Sequence, residues 1–92
     1  MQWADIRESY PEQWLIIEAL EAHTTPDHLR QLDNIAVIDK CLDGTEAFTR
    51  YRHLHQLYPA REFYFVHTGR EALDIHEQQW LGIRRNYANN AQ

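Results

Sequence analysis

Residues 43–68 read Asp43-Gly44-Thr45-Glu46-Ala47-Phe48-Thr49-Arg50-Tyr51-Arg52-His53-Leu54-His55-Gln56-Leu57-Tyr58-Pro59-Ala60-Arg61-Glu62-Phe63-Tyr64-Phe65-Val66-His67-Thr68. This stretch decides the fold, because it contains a turn, a capped amphipathic helix, a sharp stop and a strand. Ala47, Phe48, Tyr51, Leu54, His55 and Tyr58 recur at three- and four-residue intervals and form one apolar stripe on a helix. Arg50, Arg52, His53 and Gln56 fall mainly on the opposite side. Asp43 is placed as N-cap, and Glu46 three residues later is placed to return a hydrogen bond in capping-box fashion. Tyr58-Pro59 is the stop, since a residue before proline is pushed out of the helical region. The aromatic and β-branched run Phe63-Tyr64-Phe65-Val66 then reads as a strand.

Upstream of this unit, Ile35-Ala36-Val37-Ile38 is the apolar centre of another strand within residues 31–42, with Asp33-Asn34 marking a bulge or a late start. Residues 24–30, around Pro26, are a loop. Residues 12–23 admit two readings. Leu15, Ile16, Ala19 and Leu20 fit a helical stripe, and the second half is rich in helix formers. As a strand, Trp14, Ile16 and Leu20 face one way, with Leu15, Ile17 and Ala19 on the other side. Residues 1–10 form a short helix with Trp3, Ile6 and Tyr10 on one face, closed by Pro11. So short a helix is stable only if Trp3 and Ile6 dock it onto the core. After Gly69, Leu73 and Ile75 alternate as in an edge strand, while residues 71–81 also suit a helix carrying Trp80 onto the domain.

Composition bounds the function classes. Ninety-two residues make one small core, expected over residues 1–85, with a polar frayed tail at 86–92. A net charge of −5 with a single lysine argues against a dedicated nucleic-acid binder and against an anionic membrane surface. Cys41 is the only cysteine, so no intramolecular disulfide forms. The first residues lack the order of a signal peptide, and no apolar run approaches the roughly 20 residues of a membrane span. The expectation is a cytoplasmic protein.

The opening Tyr10-Pro11-Glu12-Gln13-Trp14-Leu15-Ile16-Ile17 resembles that of a short bacterial domain family of unknown function, which begins with a Tyr-Pro-Gly-Lys-Trp-Val-like stretch. The likeness extends to the Asp43-Gly44-x-Glu46-Ala47 helix start and to the strand at Phe63-Tyr64-Phe65-Val66. The chain is also similar to a set of small bacterial proteins sharing a YPxQWxxIEAL opening, a YRxLH helix and a VHTxRxxLxI end, here residues 10–20, 51–55 and 66–75. It departs from that set in the loop at residues 24–29. The resemblance implies that residues 14–22 are a strand paired with the next one. It also implies a gene neighbourhood containing a retropepsin-like aspartic protease, and it brings no known activity.

The expected fold is therefore α+β: an N-terminal helix, an antiparallel hairpin, an amphipathic helix packed on the sheet, a third strand and an undecided C-terminal segment. No motif fixes a reaction. His53 and His55 project about 200° apart on a helix and cannot share one ion, and His55 on the apolar stripe reads as a buried, hydrogen-bonded histidine. His67 ends a strand just before Gly69-Arg70, where ligand-facing groups emerge. A strand-end histidine bonding a neighbouring carbonyl is the plainer reading. Cys41 would need a base such as His67 to act as a nucleophile, and a semi-buried structural thiol is the plainer reading. His67, Cys41 and Arg70 are the candidates for a small enzyme or ligand-binding domain. No cofactor or metal is expected. The aromatic residues exceed what one small core easily buries, so Tyr64, Trp14 and Trp80 are interface candidates. The leading expectation is a non-catalytic protein-interaction or accessory module. Its partner would be another protein, such as the aspartic protease, with an antitoxin-like role for the chain as a neighbouring form of the same reading, or a second copy of the chain.

Overall fold

A computed structural model of the chain describes residues 1–76. The element order is α1 (Trp3–Ser9), β1 (Trp14–Thr24), β2 (Leu29–Cys41), α2 (Gly44–Leu57), β3 (Phe63–His67) and β4 (Ile75–His76). The four strands form one antiparallel sheet in the order β3-β1-β2-β4. This is the α+β fold expected from the sequence, with residues 14–22 in a strand. The proposed Trp80 contact, the helix to residue 81 and the tail at 86–92 lie outside the described residues.

The central strand β1 is buried on both faces, and alternation sorts its side chains between two small cores. Leu15 and Ile17 join Ile6, Ile35 and Val66 on the face covered by α1. Ile16 joins Ala47 and Phe63 on the face covered by α2, with Trp14, Cys41, Tyr51 and Leu54 packed around them. Ile6, Leu15, Ile16 and Ile17 are fully buried. Docking of α1 through Ile6 and half-buried Trp3 is what makes a seven-residue helix tenable. Its Arg7 Nε donates to the Thr68 carbonyl at 2.9 Å, and Trp3 Nε1 donates to the Arg70 carbonyl at 3.1 Å.

The hairpin is longer than the sequence implies, because β2 begins at Leu29 rather than at residue 31. The turn closes through Thr25, whose N–H donates to the Leu29 carbonyl at 2.8 Å and whose hydroxyl accepts from Leu29 N–H at 3.1 Å. His28 adopts φ 65° there, and Glu12 adopts φ 53° in the turn between α1 and β1. The β1–β2 register slips at three places, skipping Ile38, Leu20 and Asp33 in turn. Each slip reverses the facing of the residues beyond it. Leu20 and Ile38, left unpaired at two of these slips, are 54% and 38% exposed, although alternation alone places Leu20 with Ile16.

The helix α2 starts as expected, with one difference in the cap. Asp43 Oδ1 accepts from Glu46 N–H at 2.8 Å, and the Glu46 carboxylate accepts from Leu42 N–H at 2.6 Å, one residue earlier than in the standard box. The stripe itself is only partly covered. Ala47 is buried, Tyr51 and Leu54 are half-buried, and Phe48, His55 and Tyr58 are exposed. The buried-histidine reading of His55 is thus corrected: a helix lying over two narrow strands covers one line of side chains, and His55 stacks on Tyr51 at its margin with ring centroids 5.9 Å apart. Among the described residues no helix is long and apolar enough to cross a membrane.

Candidate interaction surface

The strand β3 lies at one edge of the sheet, paired to β1 on its inner side. Its residues alternate between the two faces. Phe63, Phe65 and His67 point toward the α2 side, while Tyr64 and Val66 pack on the α1 side. Phe63 sits deep, under α2. Phe65, two residues further along the same edge strand, remains 37% exposed. It meets Phe48 edge-on with centroids 5.5 Å apart and lies tilted against Tyr51 at 5.3 Å. Phe48 is itself 45% exposed, and the Arg52 guanidinium lies 5.7 Å over its ring. Two rings in mutual contact, both solvent-exposed and both beside an edge strand, form an aromatic patch. The helical stripe counts Phe48 as core, and strand alternation groups Phe65 with Phe63. Nothing in the sequence tells which residues of an edge strand a crossing helix leaves uncovered.

The residues singled out from the sequence are distributed differently. Trp14 faces Cys41 across β2 and His67 across β3 in the same register line. Cys41 and His67 are therefore two strand spacings apart, about 10 Å, with the Trp14 side chain between them. The Trp14 and His67 rings meet edge-on at 5.2 Å, and Trp14 also presses on the first turn of α2 at Gly44, where an added Cβ would sit 3.1 Å from the indole. The structure does not bring the thiol to the imidazole. Burial and the nearby Asp39, Glu46 and Asp43 carboxylates also push the Cys41 thiol up, away from the thiolate that nucleophilic chemistry needs. His67 Nδ1 accepts a hydrogen bond from Gly69 N–H at 2.9 Å, a backbone donor rather than the carbonyl expected. Gly69 allows this approach, since a Cβ there would lie 2.9 Å from the same nitrogen. Arg70 contributes backbone contacts: its N–H donates to the His67 carbonyl and its carbonyl accepts from Trp3. Among the described residues no three His, Cys, Asp or Glu side chains are grouped to hold a metal ion.

Tyr64 sits on the α1 side in a polar cluster that sequence reasoning missed. The Arg30 guanidinium makes a two-pronged pair with Glu62, both bonds at 2.9 Å, and the Tyr64 hydroxyl donates to the same carboxylate. These three side chains, with Ile75 and His76, line an open cleft of about 390 Å³. Arg30 on β2 and Glu62 before β3 are 32 residues apart, and only sheet order makes them neighbours. The hydrogen bond from Arg30, with a second from Tyr64, holds the Glu62 carboxyl below the usual carboxylate range against the opposing effect of burial. Arg61 does the same to Glu18 through bonds at 2.7 and 2.9 Å. A carboxyl with a lowered folded-state pKa stabilises the fold above its unfolded pKa, and that contribution disappears as pH falls through the folded value. Thermal stability should therefore decline on acidification below about pH 4.3. Melting curves of Glu62→Gln across that range should show a shallower decline. An identical acid slope in the variant would remove Glu62 as a cause.

No family model, curated protein or solved structure matches this chain.

Proposed function

We propose that the domain is a non-catalytic protein-interaction module, an accessory or regulator of a second protein. The observation that carries this reading is the Phe48–Phe65 patch. Soluble monomers seldom expose contiguous aromatic surface without a use for it, and aromatic residues are enriched where proteins meet. The separation of Cys41 from His67 by Trp14 supports the same side, because it leaves the thiol without a base. The specific form takes the partner to be a retropepsin-like aspartic protease encoded nearby, and an antitoxin-like role for this chain is a neighbouring form of it. That form rests on the resemblance of residues 10–20, 51–55 and 66–75 to the bacterial set. The acidic balance of the chain favours a protein partner over nucleic acid.

The test is retrieval by the tagged chain of one stoichiometric protein from lysate of its source, repeated with Phe48→Ser. Phe48 is 45% exposed and lies outside both buried clusters, so the variant should keep the fold, which circular dichroism checks. Loss of an interface aromatic costs about 2 kcal/mol or more at a hot spot, roughly a thirty-fold drop in affinity. Equal retrieval by Phe48→Ser, or no specific retrieval by the wild type, would overturn the reading.

A further inference from the structure

We infer that the domain pairs with a second copy of itself along the outer edge of β3, antiparallel and centred on Phe65. This rests on the interaction-module reading and names one partner for the same surface. The ladder comes first. Thr68 N–H donates to the Gln13 carbonyl and Ala19 N–H to the Glu62 carbonyl, both at 2.9 Å. On that register Leu15 faces Val66 and Ile17 faces Tyr64. Bonded and non-bonded pairs alternate along an antiparallel ladder. Tyr64 and Val66 therefore turn their N–H and C=O toward β1, and Phe63, Phe65 and His67 turn theirs outward. These three positions are symmetric about Phe65. In antiparallel self-pairing Phe65 meets the second copy's Phe65, and Phe63 meets its His67, so every outward donor finds an acceptor. The His67 carbonyl also accepts from Arg70 N–H at 3.2 Å, which makes the outermost pair the weaker one.

Charge permits this pairing despite the net −5. Residues 63–67 carry no formal charge, and the flanking carboxylates Glu18 and Glu62 are each held by an arginine. The opposite side of the sheet differs. There the outer edge of β2 is interrupted by register slips and carries Asp33, Asp39 and Lys40. It is also occupied by β4 and by Met1, which exchanges backbone hydrogen bonds with Ile35 at 2.8 and 2.9 Å. Such devices normally keep sheet edges from pairing. Among the described residues β3 has none of them. A two-fold axis normal to the sheet keeps both α2 helices on one side. The two Phe48–Phe65 patches then join across the axis into one surface on a continuous sheet.

The test uses the full chain in sedimentation equilibrium at concentrations up to about 1 mM. The wild type should sediment at twice the 11.0 kDa chain mass, and Phe65→Lys, which sets two like charges opposite each other, at the chain mass. Cross-linking keeps the test decisive if that variant misfolds. In a Cys41→Ser background, Phe65→Cys should oxidise to a covalent dimer, since bonded partners lie about 5.5 Å apart at Cα, within disulfide reach. His67→Cys should not, because its copies fall four residues apart, about 13 Å. A monomeric wild type overturns the pairing, and so does a dimer in which Phe65→Cys stays unlinked or His67→Cys links equally well. A monomer that still shows Phe48-dependent retrieval of another protein leaves the module reading intact, so the two failures are distinguishable.

Discussion

Ile16→Ala should lower unfolding free energy by about 2–5 kcal/mol, the range for deleting a fully buried aliphatic side chain. For a domain of this size that is a large share of a total near 5–15 kcal/mol. It corresponds to a melting-temperature drop of roughly 10–30 °C. The reason is specific to this position. The helix α2 seats on the sheet with only Ala47 fully buried, and Ile16 and Phe63 are the buried sheet residues beneath it. Truncating Ile16 opens a void between β1 and the helix, and the half-exposed Tyr51 and Leu54 cannot close over it without moving α2. Leu54→Ala should cost clearly less, because Leu54 is only half-buried and its removal is partly filled by solvent. Urea titration followed by circular dichroism measures both. A cost for Ile16→Ala below that for Leu54→Ala would mean that α2 is not anchored on Ile16.

Thr68→Val should cost about 2–4 kcal/mol although it changes the side chain by little more than one hydroxyl. Thr68 is 2% exposed and is the buried polar residue that ties the α1 end of the domain to the sheet. Its hydroxyl donates to the Tyr10 carbonyl at 2.6 Å and accepts from Gln13 N–H at 2.9 Å. Tyr10 is the C-cap of α1, and Gln13 immediately precedes β1. One hydroxyl thus satisfies two backbone groups in the turn that Glu12 makes with positive φ. Valine fills the same volume and leaves two part-buried backbone groups without their side-chain partner, each costing about 1–3 kcal/mol where water does not replace it. Thr68→Ser keeps both bonds and loses a methyl group, so its cost should be about 1 kcal/mol. The order wild type, serine, valine in denaturant midpoints is the expected result. A valine variant as stable as the serine one would show that water reaches Tyr10 and Gln13.

Much of the architecture is legible in the sequence because it is written in local chemistry. The Asp43 cap, the Pro59 stop and the Phe63–Val66 run are each decided within a few residues, so helix, stop and strand follow from short-range sterics and hydrogen bonding. Residues 12–23 are legible only with help. Their helix formers compete with the Trp14-Leu15-Ile16-Ile17 run, and the outcome depends on whether strands exist on both sides to bury both faces, as β2 and β3 do. His55 and Phe48 read as core from the sequence and are exposed for a related reason. Periodicity gives the direction of a stripe, but its depth depends on how wide a surface lies beneath it.

By itself the sequence determined the element types of residues 1–10 and 31–68, the α+β class, the −5 charge and the lack of a recognisable catalytic pattern, since these depend on residues close together in the chain or on composition. Only the tertiary structure decided that β3 lies at an edge, that Arg30 reaches Glu62, that Trp14 separates Cys41 from His67, and that Phe65 stays exposed while Phe63 is buried. Each of these depends on strand order and register. They are set by which distant apolar faces bury best against one another, a balance struck over the whole chain rather than within any window of it.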